Sequence, residues 1–209
     1  MTPVGHIITG AAIGIICLPK GSSKSRALVH VSIFVFLANI PDLALPSWGH
    51  EKYAVSHSVF VNLLLISTLL LAALTLPTWR QRLLKYKWTS VCGVGAWMSH
   101  FLLDSFYNHG HGIAIFWPFS AARLVLPIPW LATFKGSMAH LTFVDLKVFA
   151  FEVVTFCPLL IVALTVRRQI LFGSSSRKDS LSFRMLQKRA LNAVAKFSHR
   201  FLKKASDDR

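Results

Sequence analysis

Residues 58–76 read SVFVNLLLISTLLLAALTL, a stretch in which no side chain is charged. A helix of about 20 apolar residues spans the hydrocarbon core of a bilayer, which is roughly 30 Å thick. Four further segments are largely apolar, and they comprise residues 4–18, 27–40, 88–106 and 146–166. The first two are short, so they could tilt, thin the bilayer or form a buried hairpin. The sequence therefore predicts an all-α fold, a multi-pass membrane helical bundle of about five transmembrane helices.

The composition agrees with membrane spans that alternate with basic loops. The chain has 209 residues, of which 54% are hydrophobic, and a formal net charge of +15. No basic side chain precedes the first apolar run and no small-residue cleavage site follows it, so we expect the first span to be retained. Cys17, Cys92 and Cys157 lie in different apolar segments, without a second cysteine at metal-binding spacing. We interpret all three as small buried hydrophobic side chains.

The charges of the loops predict an orientation in the membrane. Lys and Arg, without any acidic residue, occupy the loops at residues 19–26 and 77–87. The other loops carry basic and acidic side chains in equal number. Because short basic loops stay in the cytoplasm, we predict an inner-membrane protein that crosses five times. Its N-terminus would lie outside and its C-terminus in the cytoplasm.

Residues 167–209 are predicted to form a basic cytoplasmic tail, which follows a transmembrane domain of residues 1–166. The tail has twelve basic and three acidic residues. Its apolar side chains recur at spacings of three and four, which is typical of one face of an amphipathic helix; they are Phe183, Leu186, Ala190, Val194, Phe197 and Phe201. Such a helix favours the anionic lipids of the inner leaflet. No motif in the tail supports nucleic-acid binding.

Five histidine and aspartate side chains fall at the predicted outer ends of four segments; they are His6, Asp42, His57, His100 and Asp104. His100 and Asp104 lie four residues apart, so they share one helix face. Asp42 and Asp104 end their helices, where the macrodipole disfavours each negative charge by a few tenths to about 1 kcal/mol. A divalent cation between them would more than offset this cost. Mixed imidazole and carboxylate ligands suit Zn²⁺, with Mn²⁺ or Fe²⁺ as alternatives.

Each of these five residues also has an ordinary structural interpretation. His6 alone would be an interfacial histidine, His57 could belong to a helix cap and Asp42 to a turn. His100 and Asp104 could form a hydrogen-bonded pair between helices. The placement of all five on one side of the membrane favours a metal site over these separate interpretations.

Other polar residues are weaker candidates. Glu51 could act as a general base near the metal site, although a solvated loop position is its simpler interpretation. Glu152 would face the site or pair with a polar group in the bundle. Asp145 is expected to cap the last span, and His30 is expected to be structural. The remaining histidines are interpreted as solvated loop residues; they are His50, His109, His111 and His140.

Several short segments resemble a bacterial inner-membrane family of membrane-bound metal-dependent hydrolases. They are Thr2-Pro-Val-Gly-His6, Asn39-Ile-Pro-Asp42-Leu43, Ser56-His57-Ser58 and Ser99-His100-Phe-Leu-Leu-Asp104, followed by Gly112 and Phe116-Trp117-Pro118-Phe119. The resemblance covers about residues 1–120 and implies that the five residues form the family's conserved polar set. The chain departs from it at Ala44, where a second acid is often found, and at Lys52-Tyr53, where His-Arg is often found. The loop after Asp104 is also about two residues longer.

These patterns lead to three hypotheses for function. The first is a metal-dependent hydrolase at the periplasmic end of the helix bundle, in which a metal-activated water attacks an amphiphilic substrate such as a lipid ester or phosphate. The second is a metal-binding or transport protein without chemistry, although the apolar midplane of the bundle argues against a pore. The third is a structural or partner-binding membrane protein. The presence of Ala44, where a second acid is often found, would fit such a role.

Overall fold

The computed structural model describes residues 3–49, 52–108, 112–124, 126, 131–132, 142–143 and 145–171. By its internal contacts the chain divides into two units, Met1–Thr165 and Val166–Arg209. The predicted amphipathic helix of the tail lies outside the described residues.

The regular secondary structure of the described residues is almost entirely helical, as predicted. Two short strands, β1 (Tyr107–Asn108) and β2 (Leu131–Ala132), pair in parallel. A turn of 3₁₀ helix at Ile40–Asp42 follows the second α-helix. The α-helices are α1 (Val4–Ile16), α2 (Lys24–Asn39), α3 (Tyr53–Ser56), α4 (Val59–Thr75), α5 (Pro77–Lys85), α6 (Lys87–Asp104) and α7 (Asp145–Leu171).

The helix boundaries follow from local capping chemistry. Ser58 precedes α4, and its hydroxyl accepts the N–H of Val61, which would otherwise lack a partner in the first helical turn. Pro77 occupies the first turn of α5, where a missing N–H costs nothing. The axes of α4 and α5 differ by 112°. The basic residues that follow the third apolar segment therefore form a separate helix rather than a loop, and every residue of α5 is at least partly exposed.

Two glycines allow α1 and α2 to pack closely. A Cβ atom at Gly10 would lie 2.7 Å from the carbonyl oxygen of Phe34 and 2.8 Å from the Cα of Val35. A Cβ atom at Gly14 would lie 3.1 Å from the Cβ of Phe34. Small residues four apart are the usual means by which membrane helices bring their backbones together. Helix α6 packs against both α1 and α2.

Each of the five predicted apolar segments coincides with a helix, but the helices differ in their ability to cross a bilayer. Helix α7 has 27 residues, of which an 18-residue stretch has a mean hydropathy of 2.3, and this suffices for a complete span. Helices α4 and α5 meet the same test only as a bent pair, and α1 is a shorter apolar helix. The number of crossings therefore stays a prediction.

The interpretation of the cysteines was wrong for two of the three. Cys17 and Cys92 form a disulfide that joins the end of α1 to the second turn of α6, while Cys157 is free. The two half-cystines are separated by 75 residues in the sequence. Spacing along the chain does not reveal such a pair, because it depends on how α1 and α6 pack.

Candidate metal centre

The structure brings the five predicted histidine and aspartate side chains together. His6 lies in the first turn of α1, Asp42 ends the 3₁₀ turn, and His57 lies between α3 and α4. His100 and Asp104 lie in the last two turns of α6. Four of the five side chains are completely buried, and only that of Asp42 retains 17% of its exposure.

The carboxylate of Asp104 is the centre of the cluster. Its Oδ2 lies 3.2 Å from Nε2 of His57 and 3.3 Å from Nε2 of His100. Its Oδ1 lies 3.2 Å from Nε2 of His6. Oδ1 of Asp42 lies 3.2 Å from Nε2 of His57 and 3.7 Å from Nε2 of His100. All three imidazoles therefore direct the same nitrogen at the two carboxylates.

A backbone carbonyl fixes the orientation of the His100 ring. Nδ1 of His100 lies 2.9 Å from the carbonyl oxygen of Ala38 in α2. A carbonyl oxygen accepts only, so Nδ1 carries the proton and donates it. The lone pair of a neutral imidazole is then on Nε2, which faces the carboxylates. Metal-binding histidines are oriented by the same arrangement.

The His57 ring is held in a similar way. Its Nδ1 lies 3.2 Å from the carbonyl oxygen of Tyr53 and 2.8 Å from the hydroxyl of Ser56. That hydroxyl donates to the carbonyl of Gly49 at 3.1 Å, which leaves its oxygen as the acceptor toward the imidazole. The Tyr53 ring also stacks on the His57 ring, with centroids 3.8 Å apart. Nε2 of His57 therefore faces the cluster.

Four possible ligand atoms lie close together; they are Asp42 Oδ1, His57 Nε2, His100 Nε2 and Asp104 Oδ2. Zinc bonds of about 2.0–2.1 Å in tetrahedral geometry place neighbouring ligand atoms about 3.3 Å apart. Four of the distances within the group are 3.2, 3.2, 3.2 and 3.3 Å, and a fifth is 3.7 Å. The residues present thus fit a small divalent cation.

A second set of possible ligands adjoins the first. His6, His100 and Asp104 each offer an atom within 4.8 Å of the others, and all three residues are buried. The rings of His6 and His100 stack with centroids 3.9 Å apart. Because the two oxygens of Asp104 face different histidines, this carboxylate could belong to both sets.

At Asp42 and His57, burial shifts the pKa in one direction and the interactions within the cluster shift it in the other. Burial disfavours the charged forms of both Asp42 and His57. For Asp42, the hydrogen bond with His57 and the charges of His100 and His57 together outweigh burial and lower the pKa below its ordinary value. For His57, the hydrogen bonds with Asp104 and Asp42 and the negative charges of these carboxylates together outweigh burial and raise the pKa to about 9. In the metal-free protein the carboxylates thus hold a proton on His57, and a cation would take the place of that proton.

Two residues near the centre, Asn62 and Glu152, make supporting contacts that could not be predicted from the sequence alone. The Asn62 amide donates to the carbonyls of Ser56 and Ser58, both at 2.8 Å, and accepts from the Trp97 indole at 2.8 Å. This network holds the chain on both sides of His57. Its one signal in the sequence is Asn62 itself, a polar residue within the apolar run of α4. Glu152, which is fully buried in α7, accepts the N–H of Gly5 at 3.2 Å. It therefore contacts the first turn of α1 beside His6.

The other candidates lie away from the centre or outside the described residues. Asp145 accepts from the N–H and the hydroxyl of Thr142 at 2.8 and 2.6 Å, so it belongs to the cap of α7, as expected. The His30 ring lies 4.8 Å from that of Phe34 in α2, nine residues before Asn39. The candidates outside the described residues are His50, Glu51, His109, His111 and His140.

A sequence profile of the YdjM inner membrane protein family matches residues 1–173. The chain belongs to this family. The YdjM match includes all five residues of the centre and ends within two residues of the last described position of α7. It also supports a location in the inner membrane, as the loop charges predicted. No curated protein and no solved structure is significantly similar to the chain.

Proposed function

We propose that this protein is a membrane-bound metal-dependent hydrolase, with its site at the end of the bundle formed by His6, Asp42, His57, His100 and Asp104. One observation carries the proposal: three imidazole nitrogens and two carboxylates meet at the separations of metal ligands, and backbone carbonyls hold two of the rings in the metal-binding orientation. A buried group of this composition is costly unless a cation balances it.

Different residues of the chain would have different roles in such a site. Asp104 and His100 would hold the cation from the end of α6, together with Asp42 and His57. A bound divalent cation supplies Lewis acidity and lowers the pKa of water held against it. Asp42 is the only member whose side chain is accessible, so substrate and water would approach from its side. Glu51 follows on the same connection and is our candidate for the general base.

The substrate class follows from the location. We propose five crossings with the N-terminus outside, because the basic segments then lie in the cytoplasm. The centre would then face the periplasm at the depth of the lipid headgroups. An amphiphilic ester or phosphate, such as a membrane lipid, can reach this depth without leaving the bilayer. Zn²⁺ is our preferred metal, with Mn²⁺ or Fe²⁺ as alternatives for the same ligands.

Metal analysis of the purified protein tests the proposal. We expect at least one Zn²⁺, Mn²⁺ or Fe²⁺ per chain, and we expect His100→Ala to lose it. His30→Ala, which removes an imidazole from the middle of α2, about two turns from Ala38, is the matched control and should retain the metal. A parent protein without stoichiometric metal after growth in metal-supplemented medium would refute the site.

A hydrolysis screen with reconstituted protein then separates chemistry from binding. The screen would offer lipid esters and lipid phosphates with each of the three metals. We expect turnover that Glu51→Gln reduces by at least tenfold while the bound metal stays. Stoichiometric metal without turnover of any offered substrate would reject the hydrolase and leave a metal-binding membrane protein.

A further inference from the structure

An apolar cavity lies between α2, α4 and α6, away from the metal centre. Its volume is about 280 Å³. Almost its whole lining is hydrocarbon, and the residues that matter here are Ile33, Leu37, Ile66, Leu70, Val94 and Trp97. A cavity of this character in a membrane protein suits an alkyl chain rather than a polar ligand.

A second cavity of about 720 Å³ continues the first toward the start of α2. Ile33 and Thr89 line both cavities, so the two form one cleft between α2 and α6. The second cavity has a different lining, which includes Arg26, Trp79 and Tyr86. Tyrosine and tryptophan are typical of the level at which the hydrocarbon core meets the headgroups.

The cleft is apolar at one end and polar at the other. Trp97 and Ile66 at the apolar end belong to a buried cluster with Phe101 and Ile113. From Arg26 to Leu37 the rise along α2 is about 16 Å, at 1.5 Å per residue. This length is about half of the roughly 30 Å hydrocarbon core, which is the depth of one leaflet.

Among the described residues of its wall, the polar end carries only positive charge. Residues 17–26 and 76–90 contain no Asp or Glu. Besides Arg26 in the cavity wall, Arg82 lies over the Trp79 ring at 5.7 Å, and Lys85 lies over the Tyr86 ring at 5.5 Å. Basic side chains at a membrane surface attract anionic lipids.

We infer that the cleft between α2 and α6 is a binding site for one anionic phospholipid. The phosphate would bind Arg26 among the aromatic side chains, and one acyl chain would extend past Ile33 to Trp97. The site is independent of the proposed hydrolase, because Arg26 lies on the opposite end of α2 from Ala38, which contacts His100.

Native mass spectrometry during detergent exchange tests the charge at the polar end. We expect the protein to retain one phosphatidylglycerol and to lose phosphatidylcholine at least fivefold more readily. Arg26→Gln should reduce retention at least fivefold. Lys24→Gln removes the same charge one half-turn away, outside the cavity wall, and should leave retention unchanged. Equal losses in the two variants, or equal retention of the two lipids, would overturn the proposal.

A second pair of variants tests the apolar cavity. Ser90 lines it, whereas Val91 is exposed on another face of α6. Ser90→Phe should fill the cavity and reduce phosphatidylglycerol retention at least fivefold, and Val91→Phe should not. If retention is unchanged in Ser90→Phe, the lipid does not occupy the cavity.

A photo-crosslinking amino acid at Thr89, where the two cavities meet, identifies the occupant in membranes. We expect the mass of one phospholipid on the chain. An adduct within residues 172–209 would show that the chain's own tail fills the cleft, and an adduct with a second copy would show a dimer interface. Either result would overturn the lipid proposal.

Discussion

The two ends of the bundle of α1, α2 and α6 are built in opposite ways. The end with His6 and Asp104 is buried, and hydrogen bonds to backbone carbonyls fix its rings. The end with Arg26 and the Cys17–Cys92 disulfide is an open cleft with exposed cations. A small ion needs ligands that are already in place, since a displacement of 1 Å breaks its coordination. A lipid needs only a groove and a charge of the right sign.

Replacing Asp104 should show most clearly that metal binding at one end is independent of lipid binding at the other. Asp104→Asn takes one ligand from both sets of candidate ligands, so we expect metal binding to become undetectable by elemental analysis. Retention of phosphatidylglycerol should not change. Asp145→Asn alters a buried carboxylate that caps α7, and it should keep the metal. A simultaneous loss of metal and lipid in Asp104→Asn would show that the two ends do not act separately.

The Cys17–Cys92 disulfide lies at the end that the proposed topology places in the cytoplasm, where disulfides are rare. We therefore make the prediction for the purified, oxidised protein, in which removing the disulfide should affect stability at the basic end without affecting the metal. It closes a loop of about 75 residues, and the chain-entropy account assigns such a loop about 4 kcal/mol of stability. The double variant Cys17→Ala/Cys92→Ala should lose about this much free energy of unfolding in mixed micelles, with unchanged metal affinity. Cys157→Ala is the control, since Cys157 is free. Equal stability of the double variant and the parent would contradict a disulfide in the purified protein.

Replacing Glu152 should have a smaller effect on metal binding at the end with His6 and Asp104. Its carboxylate accepts the N–H of Gly5 beside His6, and groups that position metal ligands commonly change affinity by 10- to 100-fold. We expect Glu152→Ala to weaken metal binding about tenfold in a chelator competition. Glu152→Gln keeps an acceptor oxygen and should lose less. Thr155→Ala, which lies on the exposed face of α7, should have no effect; a loss equal to that of Glu152→Ala would place the cause in α7 as a whole.

The metal-free protein should also lose stability as the pH rises. The pKa of His57 is raised from 6.5 to about 9 by the two carboxylates. A group whose pKa is higher in the folded state stabilises the protein fully below its unfolded pKa, and this contribution disappears as the pH passes its folded pKa. We expect the melting temperature of chelator-treated protein to fall by a few degrees between pH 6.5 and 9. We expect His57→Gln to reduce this dependence of the melting temperature on pH. An unchanged dependence would show that other groups cause it.

The sequence predicts the helices well because apolar runs mark them directly. It also predicts that the five histidine and aspartate residues share one end, because segment ends alternate between the two sides of a membrane. It does not predict the carbonyl of Ala38 as the partner of His100, since every residue has a carbonyl. Nor does it predict the partners of Glu152 or Cys17, which lie 147 and 75 residues away along the chain.

The pair of glycines in α1 has a consequence for biogenesis. Helix α1 is short for a bilayer, and α2 begins with Lys24 and Arg26, so neither is well suited to enter lipid alone. With their backbones in contact at Gly10 and Gly14, the two can insert as a single helical hairpin whose connecting turn stays in water. That hairpin already brings His6 next to the end of α2 before the later helices leave the ribosome. Assembly of the centre would then begin co-translationally, in the order in which the chain is made.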